Sequence, residues 1–285
     1  MILSVASGKG GTGKTLVATS LALSLQELGR VQILDCDVEE PNVHILLRPE
    51  IDSSEPVTVP VPVVDNDKCI YCGFCSEACA YNAIAVAGRT VLVFFELCHG
   101  CGACSYVCPE EAISEVGREV GVIESGRVGE VQFAHGRLNV GEAMAGPVIR
   151  AVKKLADPKA TVILDAPPGT SCPVVETIRG SDFCLLVTEP TPFGLSDLTI
   201  AVEVAREIDV PCGVVINRDG LGDESVERYC AQERIPVLMR IPFDRRIAEA
   251  YCRGETLAAA MPSWRQAFRE LFDRVRELAA VESVS

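Results

Sequence analysis

The chain has 285 residues, 48% hydrophobic and 23% charged, enough for two ordinary domains or for one with a large insertion. Its 26 Lys and Arg against 40 Asp and Glu leave a net charge of −14, which argues against nonspecific nucleic-acid binding, because such binding needs cations to neutralise phosphates. No apolar run approaches the roughly 20 residues that span a bilayer, and "MILSVASGKGG" lacks the basic and apolar regions of a signal peptide, so a cytoplasmic chain without stable membrane insertion is expected.

The first element is the apolar strand "ILSVAS", which runs into a glycine-rich loop. Residues 16–28 follow as a helix that is apolar nearly all round and hence buried, ended by Gly29. "VQILDCD" is a second strand, so the chain opens with the βαβ unit of a parallel sheet. The loop between, "GKGGTGKT", fits G-x-x-x-x-G-K-[ST]. In such a loop the backbone N–H groups of Gly8, Gly10, Gly11, Thr12 and Gly13 cradle phosphates, and the following helix N-terminus adds positive potential. Lys14 is expected to reach the β- and γ-phosphates of ATP, and Thr15 to ligate Mg²⁺. The competing reading is a glycine-rich turn without ligand.

The alternation then breaks. "RPEIDSSEPVTVPVPVVDNDK" reads as extended chain, rich in proline and β-branched residues. Eight of the 14 cysteines follow in a short block, and without a signal peptide they point to metal rather than to disulfides. "CIYCGFCSEACAYNAI" and "CHGCGACSYVCPEEAI" form an internal repeat at an offset of 29 residues, each carrying C-x2-C-x2-C-x3-C. This is the spacing of two-cluster ferredoxins, in which the fourth cysteine of each run ligates the other cluster. One 4Fe–4S cluster is therefore expected on Cys69, Cys72, Cys75 and Cys108, and the other on Cys98, Cys101, Cys104 and Cys79; tetrahedral zinc sites are the alternative. The first run has Ala80 where its twin has Pro109, which predicts a less rigid turn and different shielding beside the second cluster, with all eight ligands kept. The scattered Cys36, Cys172, Cys184, Cys212, Cys230 and Cys252 read mainly as buried thiols.

After the block, "REVGVIESGRVGEVQFAHGRLNVG" reads as short strands with glycine turns. The α/β pattern then resumes. A helix over 145–155 precedes the strand "ATVILDAPPG"; the strand "DFCLLVTEP" and a helix over 195–208 follow. Next come "CGVVINR", a helix over 224–233, "PVLMRIPF" and two closing helices. Alternation on both sides of the cysteines predicts one mostly parallel, helix-covered α/β domain (residues 1–58 and 118–285) with an inserted α+β ferredoxin domain (59–117).

Lys9 makes "KGGTGKT" resemble the deviant Walker A motif of the MinD/ParA/Mrp ATPases, whose wider superfamily includes the nitrogenase iron protein and the cobyrinate amide ligases. The resemblance covers nearly the whole chain outside the insertion. It implies an ATP-sandwich dimer, homomeric or with a paralogous ATPase, in which Lys9 reaches the phosphates of the partner subunit's nucleotide. "LDCDVEEPN" resembles switch I, with Asp37 orienting the attacking water. "ILDAPPGT" resembles Walker B running into switch II, with Asp165 holding Mg²⁺ through water and Gly169 sensing the γ-phosphate. Asp35 either supports the magnesium shell or is structural. Asn217 stands where the family contacts adenine, and Pro242 and Asp244 stand in the loop that closes over the base; both are also common turn chemistry. The whole resembles MinD-superfamily ATPases with an inserted ferredoxin domain, whose associated proteins include a paralogous ATPase and small metallocluster carriers. Cys172 near switch II reads as a small residue rather than a cluster-bridging ligand.

Three functions compete. The first couples ATP binding and hydrolysis to electron transfer or metallocluster assembly, with a redox or cluster-carrier partner. The second is a MinD/ParA-like positioning switch, for which "WRQAFRELFDRVREL" offers an amphipathic face of Trp264, Phe268, Leu271, Val275 and Leu278; packing of that face on the domain explains it as well. The third is cobyrinate-type amide ligation, disfavoured because only about seventy residues follow Asn217, few for a glutaminase module.

Overall fold

The structure is a computed structural model and describes residues 1–282. In chain order its elements are β1 (Ile2–Ala6), α1 (Lys14–Leu25), β2 (Val31–Asp35), α2 (Val43–Leu47) and β3 (Glu50–Val64). A cysteine-bearing lobe follows, with α3 (Phe74–Glu77), β4 (Ile84–Ala87), β5 (Thr90–Val93) and α4 (Ala103–Tyr106). The chain returns through β6 (Ile113–Val128), β7 (Val131–Leu138), α5 (Gly146–Lys153), β8 (Thr161–Asp165), α6 (Cys172–Ile178) and β9 (Phe183–Thr188). It closes with α7 (Pro192–Glu207), β10 (Cys212–Asp219), α8 (Ser225–Glu233), β11 (Val237–Pro242), α9 (Arg245–Cys252), α10 (Leu257–Ala260) and α11 (Trp264–Glu282).

One nine-stranded sheet organises the molecule, in the order β11-β10-β9-β1-β8-β2-β7-β6-β3. The strands from β11 to β7 run parallel, and β6 and β3 close the edge antiparallel. Successive residues of the central strands serve opposite faces. Leu3, Val5, Ile33 and Ile163 pack with α1 and α11, whereas Ala6, Leu34, Val162 and Leu164 pack with the helices of the other side. This two-sided burial explains why the strands read as continuous apolar runs. Helix α1 lies in the core as expected, but it ends at Leu25, short of Gly29.

The face of α11 that carries Phe268, Leu271 and Val275 is fully buried against the same core, with Trp264 and Leu278 packed at its margins. Among the described residues no helix is long and apolar enough to cross a membrane.

The segment read as short strands with glycine turns is the second half of β6, a turn at Gly129 and the eight-residue β7; only β6, unbroken at Gly121 and Gly126, runs longer than expected, to 16 residues. It pairs with β3 from Glu50↔Arg127 to Val64↔Ile113, so the two form a ribbon that leaves the large sheet and carries the cysteine lobe. Within β6, Gly121 and Gly126 are sites of close backbone approach rather than turns. A Cβ on Gly126 would lie 1.9 Å from the Glu50 carbonyl oxygen, and one on Gly121 would lie 2.5 Å from that of Arg137. Both glycines stand at register shifts, where a bulge bends the ribbon. Three closing helices follow β11, one more than expected, because α10 turns the chain at Thr256.

Candidate functional site

The glycine-rich loop leaves the C-terminal end of β1 at the centre of the sheet and enters α1. Gly11 and Gly13 adopt φ of 78° and 97°, which other residues rarely accept. Gly13 also faces the Asn217 amide, whose nitrogen would lie 2.3 Å from an added Cβ. Gly8 packs as closely on the carbonyl of Asp197 in α7, at 2.3 Å.

Four chemistry-bearing side chains converge beneath this loop from α1, β8 and the segment just after β2. Lys14 Nζ lies 3.2 Å from Asp37 Oδ2, and Thr15 Oγ1 donates to Asp165 Oδ2 at 2.7 Å. All four are buried. The other Asp165 oxygen, Oδ1, and the Thr12 hydroxyl are buried without a hydrogen-bond partner. Buried polar atoms are rarely left unpaired, so these two mark where an absent group belongs.

Electrostatics agree. Burial pushes the Asp165 carboxyl up to about 6, although Lys14 and Thr15 act against the rise. Burial opposes the charge on Lys14 as well, but Asp165 and then Asp37 outweigh it and hold the ammonium above its ordinary range. Asp37 is raised by burial, against the pull of Lys14.

Asp35 pairs with Asp165 across β2 and β8. Its carboxylate accepts from the backbone N–H groups of Asp37, Asn42 and Val43, each at 3.0 Å. Of the two roles considered for Asp35, the structural one matches this geometry: it folds the loop that positions Asp37.

A cavity of about 370 Å³ opens beside the loop, within the range of small-ligand sites. Gly13, Lys14, Thr15, Asn217, Pro242 and Asp244 all line it, as do Phe243 and Tyr251, which sequence reasoning missed. Asn217 reaches the loop itself, donating from Nδ2 to the Thr12 carbonyl at 2.7 Å. Asp244 caps α9 and chelates Arg246. Gly169 is left-handed, φ 99°, and its N–H donates to the Ser7 carbonyl, so the segment after β8 touches the glycine-rich loop. Gly10 faces Pro168 of the same segment.

Lys9 contacts Glu189 at the end of β9, and Arg218 Nη1 holds the other Glu189 oxygen at 2.8 Å. Neither Glu189 nor Arg218 stood out in the sequence. Glu189 directly follows β9 and Arg218 is the second-last residue of β10, where charged residues at a strand end are ordinary.

In the cysteine lobe the eight thiols fall into two groups of four. Cys69, Cys72, Cys75 and Cys108 line one cavity, and Cys98, Cys101, Cys104 and Cys79 line the other. The repeat extends to the backbone. Tyr71, Gly73 and Asn82 are left-handed, as are Gly100, Gly102 and Glu111, each 29 positions later. The N–H groups of Ala83 and Ala112 donate to Cys79 Sγ and Cys108 Sγ, both at 3.3 Å. Among the described residues no three His, Cys, Asp or Glu side chains gather closely enough to hold a single metal ion.

The two cavities differ in their lining at Pro109 and Ala80. Pro109 lines the first, whereas Ala80 does not line the second. There Tyr81 stacks on His99, with ring centroids 3.6 Å apart and planes at 11°. Of the six scattered cysteines, Cys36, Cys184 and Cys230 are buried and Cys212 half-buried. Cys172 and Cys252 are exposed, because they sit at the ends of α6 and α9 rather than inside the strands.

Comparison with known proteins accords with the fold. The family model described as "CobQ/CobB/MinD/ParA nucleotide binding domain" matches residues 3–257. An uncharacterised protein of Methanocaldococcus jannaschii is 32% identical over 260 residues, covering 90% of this chain and 91% of its own. An iron–sulfur cluster carrier protein of the same organism is 21% identical over 294 residues, covering 96% of this chain and 83% of its own. Among solved structures, the septum site-determining protein MinD of Pyrococcus horikoshii, complexed with Mg-ADP, superposes with a TM-score of 0.60 at 21% identity, covering 98% of this chain and 97% of that one. At that identity the likeness speaks for the fold alone.

Proposed function

This chain belongs to the CobQ/CobB/MinD/ParA nucleotide binding domain family, and from that premise we propose that it is an ATP-hydrolysing iron–sulfur protein coupling dimer closure to electron transfer or metallocluster assembly. The observation that carries the reading is the β3–β6 ribbon. Its antiparallel strands join the sheet beside β7 and β2, whose end leads to Asp37, and bear the two four-cysteine cavities at their far end. At the near end the N–H of Leu138 donates to the carbonyl of Val38, the residue after Asp37, at 2.8 Å. A shift of the Asp37 segment therefore has a hydrogen-bonded route to the ribbon.

At the nucleotide site the loop N–H groups hold the phosphates, and Lys14 exchanges Asp37 for phosphate oxygens as ATP enters. Asp37 is then released to orient the attacking water. Thr15 Oγ1 and Asp165 would hold Mg²⁺; the unpartnered Asp165 Oδ1 is what a hydrated cation would satisfy. Lys9 completes the partner subunit's site in the dimer. Asn217, Pro242 and Asp244 bound the pocket for the base, and Gly169 belongs to the segment that responds to the γ-phosphate.

Four thiols spread around a cavity suit a multi-atom cluster better than one ion. When bound, a 4Fe–4S cluster supplies one-electron redox chemistry; the chain's own part is to position the thiols and to exclude water with Pro109, Tyr81 and His99. The relative named as an iron–sulfur cluster carrier protein supports the same direction.

The test is anaerobic purification with a non-hydrolysable ATP analogue, iron analysis and capture of bound proteins. About eight irons per chain and an analogue-dependent redox or cluster-carrier partner are expected. Unchanged cluster potentials and unchanged partner binding on adding the analogue would refute the coupling.

A further inference from the structure

Lys9 is held within its own subunit. Its ammonium contacts Glu189 Oε1, while Arg218 holds Oε2 at 2.8 Å and donates to the Gly11 carbonyl at 3.2 Å. Glu189 is almost buried, and Lys9 remains about a third exposed.

The backbones on both sides of this pair are closely packed. An added Cβ on Gly194 would lie 2.2 Å from the Glu189 carbonyl oxygen, and one on Gly8 would lie 2.3 Å from that of Asp197. With both backbones packed this closely, the Lys9 side chain is the part that turns toward a partner's site, and in turning it leaves Glu189. That departure is feasible because Glu189 keeps Arg218. Stripping a buried carboxylate of its last cation is strongly unfavourable, and here one cation stays behind.

We propose that Glu189 is a positioning residue that tethers Lys9 in the separate subunit, so that dimer closure must exchange Glu189 for the phosphates of the partner's nucleotide. This rests on Lys9 acting in the partner's site. The tether sets aside the fraction of subunits whose Lys9 is free, and an apparent affinity is reduced by that fraction. A two-fold dimer breaks two such contacts.

The experiment measures the dimer dissociation constant by sedimentation, with a non-hydrolysable ATP analogue and Mg²⁺. It compares the full chain with Glu189→Gln, Lys9→Ala and the double variant. Glu189→Gln should tighten the dimer about tenfold or more. Glu189→Asp is the second variant: it keeps the negative charge but draws it back from Lys9 by one methylene, so it should tighten the dimer as well. In the Lys9→Ala background the gain from Glu189→Gln should vanish, because no lysine is left to release.

An unchanged or weaker dimer in both Glu189 variants overturns the tether. So does an equal gain with and without Lys9, which would mark simple charge repulsion at the interface. A Lys9→Ala dimer as tight as the unsubstituted one would instead remove the premise that Lys9 works across the interface, so the two failures are distinct.

Discussion

Asp165 shows how one buried carboxylate ties stability to metal. Its pKa rises from an ordinary 3.8 to about 6 because burial disfavours the charged form. A raised acid pKa favours the protonated fold, so the nucleotide-free protein should lose stability as pH climbs from about 4 through about 6 and then level off. Asp35, also raised by burial and by Asp165, acts in the same direction. Denaturant melts across this range should show the fall, and Asp165→Asn should shrink it. Because a cation needs the ionised carboxylate, stabilisation by Mg²⁺ with nucleotide should appear above about pH 6 and fade below it. At the cysteines, each cavity draws its fourth thiol from the other repeat. If the proposed clusters bind there, Cys108→Ser should perturb the one on Cys69, Cys72 and Cys75, and Cys79→Ser the one on Cys98, Cys101 and Cys104. Iron analysis with electron paramagnetic resonance would separate these from same-repeat ligation. The thiol spacing was legible because it is local. Glu189 and Arg218 were not, because β9 and β10 bring them to Lys9 from far along the chain.

Elements with a strong period were read well, and those shaped by close backbone contact were not. The amphipathic face of α11 placed Phe268 in the core, where it is fully buried. Phe268→Ala should cost about 3–5 kcal/mol through lost burial and the cavity left behind. A thermal melt checks this, and a stability loss below 1 kcal/mol would mean that the face is not locked in the core. Strand β6 was misjudged as short strands because Gly121 and Gly126 carry the composition of turns. Their real role, admitting a neighbouring carbonyl at a bulge, exists only once β3 and β7 lie alongside. Helix α1 stopped short of Gly29 for a related reason: Leu28 donates its N–H to the Leu25 carbonyl, so a tight turn closes the helix first.

Across the molecule, the ribbon makes a mechanical prediction. If the Asp37 segment and the cysteine lobe move together, ATP-analogue binding should slow amide exchange in residues 50–64 and 113–128 as well as in the glycine-rich loop. Exchange followed by mass spectrometry would show it, and protection confined to the loop would mean that the lobe is carried passively. The sequence by itself determined the α/β class, the phosphate-binding loop and the eight-thiol repeat, because each is a short pattern whose chemistry depends on neighbours a few residues away. Tertiary structure fixes that the Asp35 carboxylate accepts three backbone N–H groups, that Tyr81 stacks on His99 beside the second cavity, and that Lys9 rests on Glu189. Those are contacts between distant segments, fixed by strand order and by packing that no local pattern encodes.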